Sequence, residues 1–215
     1  RDQIGKVGYR IGFNLSDYKS EIIKYDDNAA TKLLSSYYPG QTLVEIWGYV
    51  VDGYYTVDDF VDTSSWQLKE GVTSINGYNV RPGDVKFKNL RDDDTSTNVI
   101  TSGDNTFDNP GDRKVIGNTT PRYQYGIMQG TGKRDYWISN VLTFPMNGDN
   151  FVPLFEGLSD YWMPKDPDNG DWSAVNPNAK YPRIYGNRGN SGSNLRQSDK
   201  YLSDASYLRI KNITL

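Results

Sequence analysis

The sequence predicts a mainly β chain with long irregular loops and a few short helices. Three observations carry this. Apolar and polar residues alternate over several short runs. Helical periodicity is almost absent. Turn formers are abundant, with 21 Gly and 10 Pro among 215 residues and many Asn and Asp besides.

The elements follow in order. Tyr9, Ile11, Phe13 and Leu15 alternate with Arg10, Gly12, Asn14 and Ser16, the period of a strand with two unlike faces. Residues 44–51 form an apolar run between Gly40 and Gly53. Val85 and Phe87 alternate with Lys86 and Lys88. The runs at 44–51 and 85–87 are expected to pair in a small mixed β core that buries Trp47 and Tyr49. Tyr123, Tyr125 and Ile127 alternate with Arg122, Gln124 and Gly126. Near the end, Leu208 and Ile210 alternate with Arg209 and Lys211. The phase then flips to Ile213 and Leu215, the mark of a bulge or a change of burial. Short helices are expected at residues 58–66 and 199–205. The polar stretches at about 17–120 and 134–204 are long for connections in one domain, and such loops usually carry function.

Composition narrows the chemistry. Only 36% of residues are hydrophobic, yet there are 17 Tyr, 7 Phe and 5 Trp, which argues for a folded chain rather than a disordered one. A net charge of −3 lacks the basic face that nucleic acid requires. Without Cys there are no disulfides, thiolate metal sites or Cys nucleophiles. Without His, the commonest general base and most zinc and copper sites are gone. No apolar run reaches the roughly 18 residues of a spanning helix. The opening "RDQIGKVGYR" carries no secretory signal, so the chain is expected to begin inside a longer or trimmed product.

Four stretches invite a chemical reading. "GTGKRD" at residues 130–135 resembles a phosphate-binding loop, but Ile127 stands at the first Gly position and Arg134 replaces the magnesium-holding Ser or Thr. A Gly turn beside a solvated basic pair accounts for it. Residues 89–114 hold six Asp, a set suited to a hard cation such as calcium, although the EF-hand pattern is absent. An acidic surface loop with Asx turns explains the stretch equally well. The loop aromatics Trp47, Tyr54, Tyr55, Trp66, Tyr161, Trp162 and Trp172, interleaved with Asp, Asn and Arg, suit stacking on sugar rings or contact with a partner. The competing reading is that they staple the loops together, each ring burying much area. Finally, Glu21, Glu45, Glu70 and Glu156 are the only glutamates, and none lies in a glycosidase frame.

Seven segments in order carry a family resemblance: "YRIGFNLSDYKSEIIKYD" (9–26), "GQTLVEIWGYVVDGYY" (40–55), "RPGDVKFKNL" (81–90), "GDRKVIGNTTPRYQYGI" (111–127), "GKRDYW" (132–137), "NPNAKYPRI" (176–184) and "YLSDASYLRIKNITL" (201–215). Together they span nearly the whole chain and resemble the C-terminal part of SusC/RagA-type TonB-dependent outer-membrane receptors of Bacteroides-type bacteria. The resemblance implies a fragment of a roughly 22-stranded outer-membrane β-barrel, consisting mostly of extracellular loops and upper strand ends. It implies import of glycans or peptides together with a SusD-like surface lipoprotein, driven through TonB and an N-terminal plug that this stretch lacks. It also implies that residues 1–127 hold a rising strand, a first extracellular loop and the start of a descending strand. Residues 128–215 would then hold the next strand end, a second loop from residue 136 and a last descending strand. Family members carry a further hairpin between the counterparts of Ile127 and Met128, so a missing hairpin is expected there. Tyr123 and Tyr125 would sit near the outer membrane interface, and Lys133 and Arg134 would mark the exit into the second loop. The "RDDD" at residues 91–94 departs from the calcium-like run common in the family.

Two rival functions remain at this level. One is a free-standing secreted β module that binds glycans, and the other a carboxylate-based glycosidase. The receptor reading assigns binding and transport, with no catalysis.

Overall fold

The computed structural model describes residues 2–4, 7–91, 98–120, 123–133, 136–146, 149–151, 172–173, 175–183, 192–204, 206 and 209–214. The chain is mainly β with a few short 3-10 turns. Strands in chain order are β1 (Asp2–Ile4), β2 (Val7–Asp17), β3 (Glu45–Tyr49), β4 (Val51–Tyr54), β5 (Ser74–Ile75), β6 (Val85–Phe87) and β7 (Val99–Ile100). They continue as β8 (Arg113–Asn118), β9 (Tyr123–Lys133), β10 (Tyr136–Met146), β11 (Asp149–Phe151), β12 (Leu202–Asp204) and β13 (Arg209–Thr214).

Five strands make one antiparallel sheet in the order β1-β2-β9-β10-β13. Its three long strands have 11 residues each. Two residues separate the paired Ile4 and Val7, and two separate the paired Lys133 and Tyr136. Both short links therefore lie at one end of this wall. The long connections, residues 18–122 and 147–208, both leave from the other end, where Asp17 pairs with Tyr123 and Tyr123 with Met146.

Ile127 and Met128, between which the resemblance puts a missing hairpin, lie within one strand. β9 runs through both unbroken, with Phe13 opposite Ile127 and Gly12 opposite Met128. Ladder bonds to β2 and β10 on both sides hold the Gly- and Thr-rich half of β9 in register, although its own sequence alternates weakly. The chain reverses between Lys133 and Tyr136, and residues 136–146 form a wall strand instead of opening the second loop. The phase flip near the end is a bulge: Val141 pairs with Asn212 and Leu142 with Ile210, leaving Lys211 extra.

The connection at 18–122 builds its own body. The run at 44–51 divides. β3 pairs with β8, and β4 pairs with β6, so the expected contact with residues 85–87 is made by Val51 and Tyr54. Gly48 is required in β3, because a Cβ there would stand 2.9 Å from the Gln197 carbonyl oxygen and 2.5 Å from Ile116 Cδ1. The core gathers Tyr49, Tyr55, Phe60, Ile75, Val85, Phe87 and Ile100. Tyr49 is buried as expected, whereas Trp47 is half-buried.

The helix expected at 58–66 shrinks to a single turn, Val57–Asp59. Its sequence draws side chains back to the backbone. The Asp59 carboxylate accepts from Thr56 N at 2.7 Å, and Asp62 Oδ1 accepts from Ser64 N and Ser65 N at 2.8 and 2.6 Å. Such local bonds compete with helix propagation. At the second expected helix, a turn at Asp199–Tyr201 gives way to β12, which pairs with β11.

Buried polar groups tie the loops together. Asn194 accepts from Val85 N at 2.8 Å and donates to Asp84 Oδ1 at 2.9 Å, joining the second connection to the first. Asp112, wholly buried, accepts from Leu90 N at 2.9 Å and Thr101 N at 2.8 Å. Asp112→Ala leaves two backbone donors unsatisfied and is expected to cost about 1–3 kcal/mol in urea denaturation. Asp108→Ala, on the surface, is expected to stay within about 0.5 kcal/mol of the parent. Equal shifts for the two variants would contradict this account.

Candidate functional site

The sequence-predicted aromatics are mostly used inside the molecule. Tyr55 has 0% exposure and donates to the Thr73 carbonyl at 2.6 Å, so it presents no face to a ligand. Tyr54, half-buried, donates to the carbonyls of Ala179 and Lys180, both at 3.0 Å, and carries the Lys200 ammonium over its ring. Trp66 packs edge-on against Phe60, and Trp47 stands edge-on to Phe107. Trp172 lies on Gly83, a residue at φ +93 whose Cβ would stand 2.2 Å from the indole. These rings staple the loops, as their burial energy favours. Tyr161 and Trp162 lie outside the described residues.

The Asp-rich stretch divides in the same way. Asp112 is committed to backbone donors, and Asp104 accepts from Asn109 Nδ2 at 3.0 Å. Among the described residues no three acidic side chains converge on a common point, and Asp92, Asp93 and Asp94 lie outside them.

What the structure does bring together is a cleft of about 540 Å³ at the foot of the loop body. Its lining includes Tyr18, Lys19 and Ser20, directly after β2, and Thr120, just before β9. The remaining wall comes from Thr42, Leu43 and Glu45, and from Val115, Ile116, Gly117 and Asn118 of β8. Ile116 is the extra residue of a bulge, because Ile46 pairs with Gly117 and Trp47 with Val115. Bulges re-aim side chains in this way. A second cleft of about 520 Å³ lies across the same segment, lined by Tyr25, Tyr37, Gln41, Val44 and Glu45 among others. Glu45 thus borders both.

The segment at 41–45 is firmly held. Leu43 N donates to the Ser20 carbonyl at 2.9 Å, and Asn118 Nδ2 donates to the Leu43 carbonyl at 2.8 Å. Val44 sits at φ 55, a left-handed conformation that a β-branched residue adopts at a cost of about 1–3 kcal/mol. Glu45 is fixed from inside: its Oε1 accepts from the Tyr38 hydroxyl and, at 2.7 Å, from Trp47 Nε1. Neither bond uses Oε2. Trp47 therefore matters to the cleft as a positioning residue. The sequence reading weighs Glu45 only as a glycosidase carboxylate, and Tyr18 and Lys19 not at all, because nothing in their local pattern reveals that residues 18–20, 42–45 and 115–120 meet.

Arg196 is a second notable group. Its guanidinium lies 5.2 Å from the centre of the Tyr49 ring and 5.1 Å from that of Tyr78. Nearby Arg113 is held below its ordinary pKa, first by burial and also by the charge of Arg196.

No protein-family model matches the chain, and no curated protein matches it.

Burial pushes the Tyr38 hydroxyl well above the ordinary tyrosine range, with the bond to Glu45 adding to the effect. Tyr54, Tyr55 and Tyr201 are raised by burial as well. A raised folded pKa contributes stability that is present below the unfolded value, about 10, and is lost as pH rises beyond it. Alkaline titration is therefore expected to show late tyrosine ionisation at 295 nm coinciding with loss of circular dichroism above pH 10. Ionisation of every tyrosine near the ordinary value in a folded protein would contradict it.

Proposed function

We propose that this chain is part of the wall and the surface loops of an outer-membrane β-barrel receptor that imports glycans or peptides, of the SusC/RagA type its sequence resembles. One observation carries the reading. The wall sheet shows solvent an apolar face that no loop of the described chain covers, with Ile11, Phe13 and Leu15 exposed by 67%, 65% and 59%. Their neighbours in β2 on the opposite face are Arg10, Gly12, Asn14 and Ser16. An apolar-out, polar-in alternation is the signature of a strand facing lipid on one side and a lumen on the other. By register, Ile127 and Tyr125 continue the apolar row opposite Phe13 and Leu15, and Leu142 and Phe144 occupy the next pair of positions.

Length and topology support it too. Strands of 11 residues match the roughly 9–11 that cross a bilayer at a tilt. Short links at one end and long loops at the other are the arrangement of outer-membrane barrels, with the long loops outside the cell. Tyr123 and Tyr125 lie toward the loop end of β9, where such barrels place an aromatic girdle. On this reading the cleft at 18–20 opens at the outer mouth. The loops around it face incoming cargo and a SusD-like surface lipoprotein, and TonB acts through a plug elsewhere in the receptor. A free-standing glycan module fits less well, because it leaves the apolar wall face uncovered and Tyr55 is sealed inside.

Arginine at Ile11 or Phe13 is expected to destabilise the inserted protein by about 2–4 kcal/mol and to lower its recovery in the outer-membrane fraction. Arginine at Asn14, on the other face, is expected to be tolerated. Equal effects at the three positions, or recovery of the intact protein outside the membrane, would overturn the reading.

A further inference from the structure

We infer that the cleft between residues 18–20, 42–45 and 115–120 receives a short peptide with free termini, its ammonium group on Glu45 and its carboxylate on Lys19. This rests on the receptor reading in one respect, that peptide is among the cargo classes it allows.

The chemistry of the lining carries the choice. One cleft of about 540 Å³, within the usual size of a small-molecule site, holds one anionic and one cationic side chain. Neither is consumed by the protein: among the described residues the ion pairs are Lys24 with Asp26 and Lys86 with Asp59, and Lys19 and Glu45 have no charged partner. Glu45 is pre-set, since Tyr38 and Trp47 both donate to Oε1 and leave Oε2 unbonded. A carboxylate held this way loses little side-chain freedom when an ammonium arrives. Leu43, Val115 and Ile116 also line the cleft and offer an apolar surface for a peptide side chain. Thr42 and Ser20 add hydroxyl groups to the lining.

A neutral sugar matches this lining poorly. It would use neither charge, and it needs an exposed ring face to stack on. Tyr18 is the ring that the lining offers among the described residues, 48% exposed, and stacking on it leaves both charges unused. A zwitterion uses both charges, and charge-assisted hydrogen bonds are the stronger kind.

The test is calorimetric titration of the intact protein in detergent with Ala-Leu-Ala, with the N-acetylated and the C-amidated tripeptides, and with maltotriose. The free tripeptide is expected to bind saturably, with each cap weakening it at least fivefold and maltotriose not competing. Glu45→Gln keeps an acceptor for Tyr38 and Trp47 and is expected to abolish the penalty of acetylation alone. Lys19→Met, on the exposed rim, is expected to abolish the penalty of amidation alone. No saturable tripeptide binding, equal binding of free and capped forms, or cap penalties unchanged in both variants would overturn the assignment. A protein that inserts in bilayers yet ignores the tripeptide refutes the cleft's ligand and leaves the receptor standing. One that binds the tripeptide but never inserts refutes the receptor instead.

Discussion

The antiparallel ladder joining β2, β9 and β10 is the constraint on which the rest depends. β9 is paired with β2 on one side and β10 on the other along nearly its whole length, so the three strands keep one register. Two-residue links close the ladder at one end. Everything else the chain carries must therefore leave from the other end. Residues 18–122 and 147–208 emerge side by side and become available to each other. The bonds from Asn194 to Val85 and Asp84 are a consequence, as is the isolated bridge between Tyr49 and Ser198. A period of two in the wall then sorts the side chains, and the choice of apolar residues at 11, 13 and 15 settles which face is apolar.

The loop body solves a different problem. It has little regular structure, so its buried polar groups need individual partners. Asp84, Asp112 and Asn194 supply them, and they are among its least exposed residues. Tyrosine does the same at larger scale. Tyr38, Tyr55 and Tyr201 each bury a ring and still hand their hydroxyl to an acceptor, namely Glu45, Thr73 and Asn194. That dual use accounts for a chain so rich in Tyr and so low in mean hydropathy. It also accounts for Tyr55, a sequence-predicted contact residue, serving as a staple.

How much was legible in the sequence follows from range. Period-two runs such as 9–15 and 123–127 are local, and each is a strand. The bulge at Lys211 was visible as a slip of phase. The continuation of β9 past Ile127 was not, because Gln129, Gly130 and Thr131 break the apolar rhythm and only the flanking strands hold them extended. The helix expected at 58–66 failed on side-chain bonding that a periodicity count does not weigh, with Asp62 wrapped by Ser64 and Ser65 and Trp66 at φ 54. The cleft was the least legible feature. It joins three segments up to about a hundred residues apart, and its key carboxylate, Glu45, belongs to no motif.

The central claim is that the wall faces lipid on one side and water on the other. Spin labels placed singly at residues 9–17 of the intact protein in bilayers measure this directly, through collision with oxygen and with a water-soluble nickel complex. The account predicts alternation with a period of two: labels at 11, 13 and 15 reached by oxygen and shielded from nickel, and labels at 10, 12, 14 and 16 the reverse. Uniform access to the nickel complex along the strand, or alternation in the opposite phase, would contradict it.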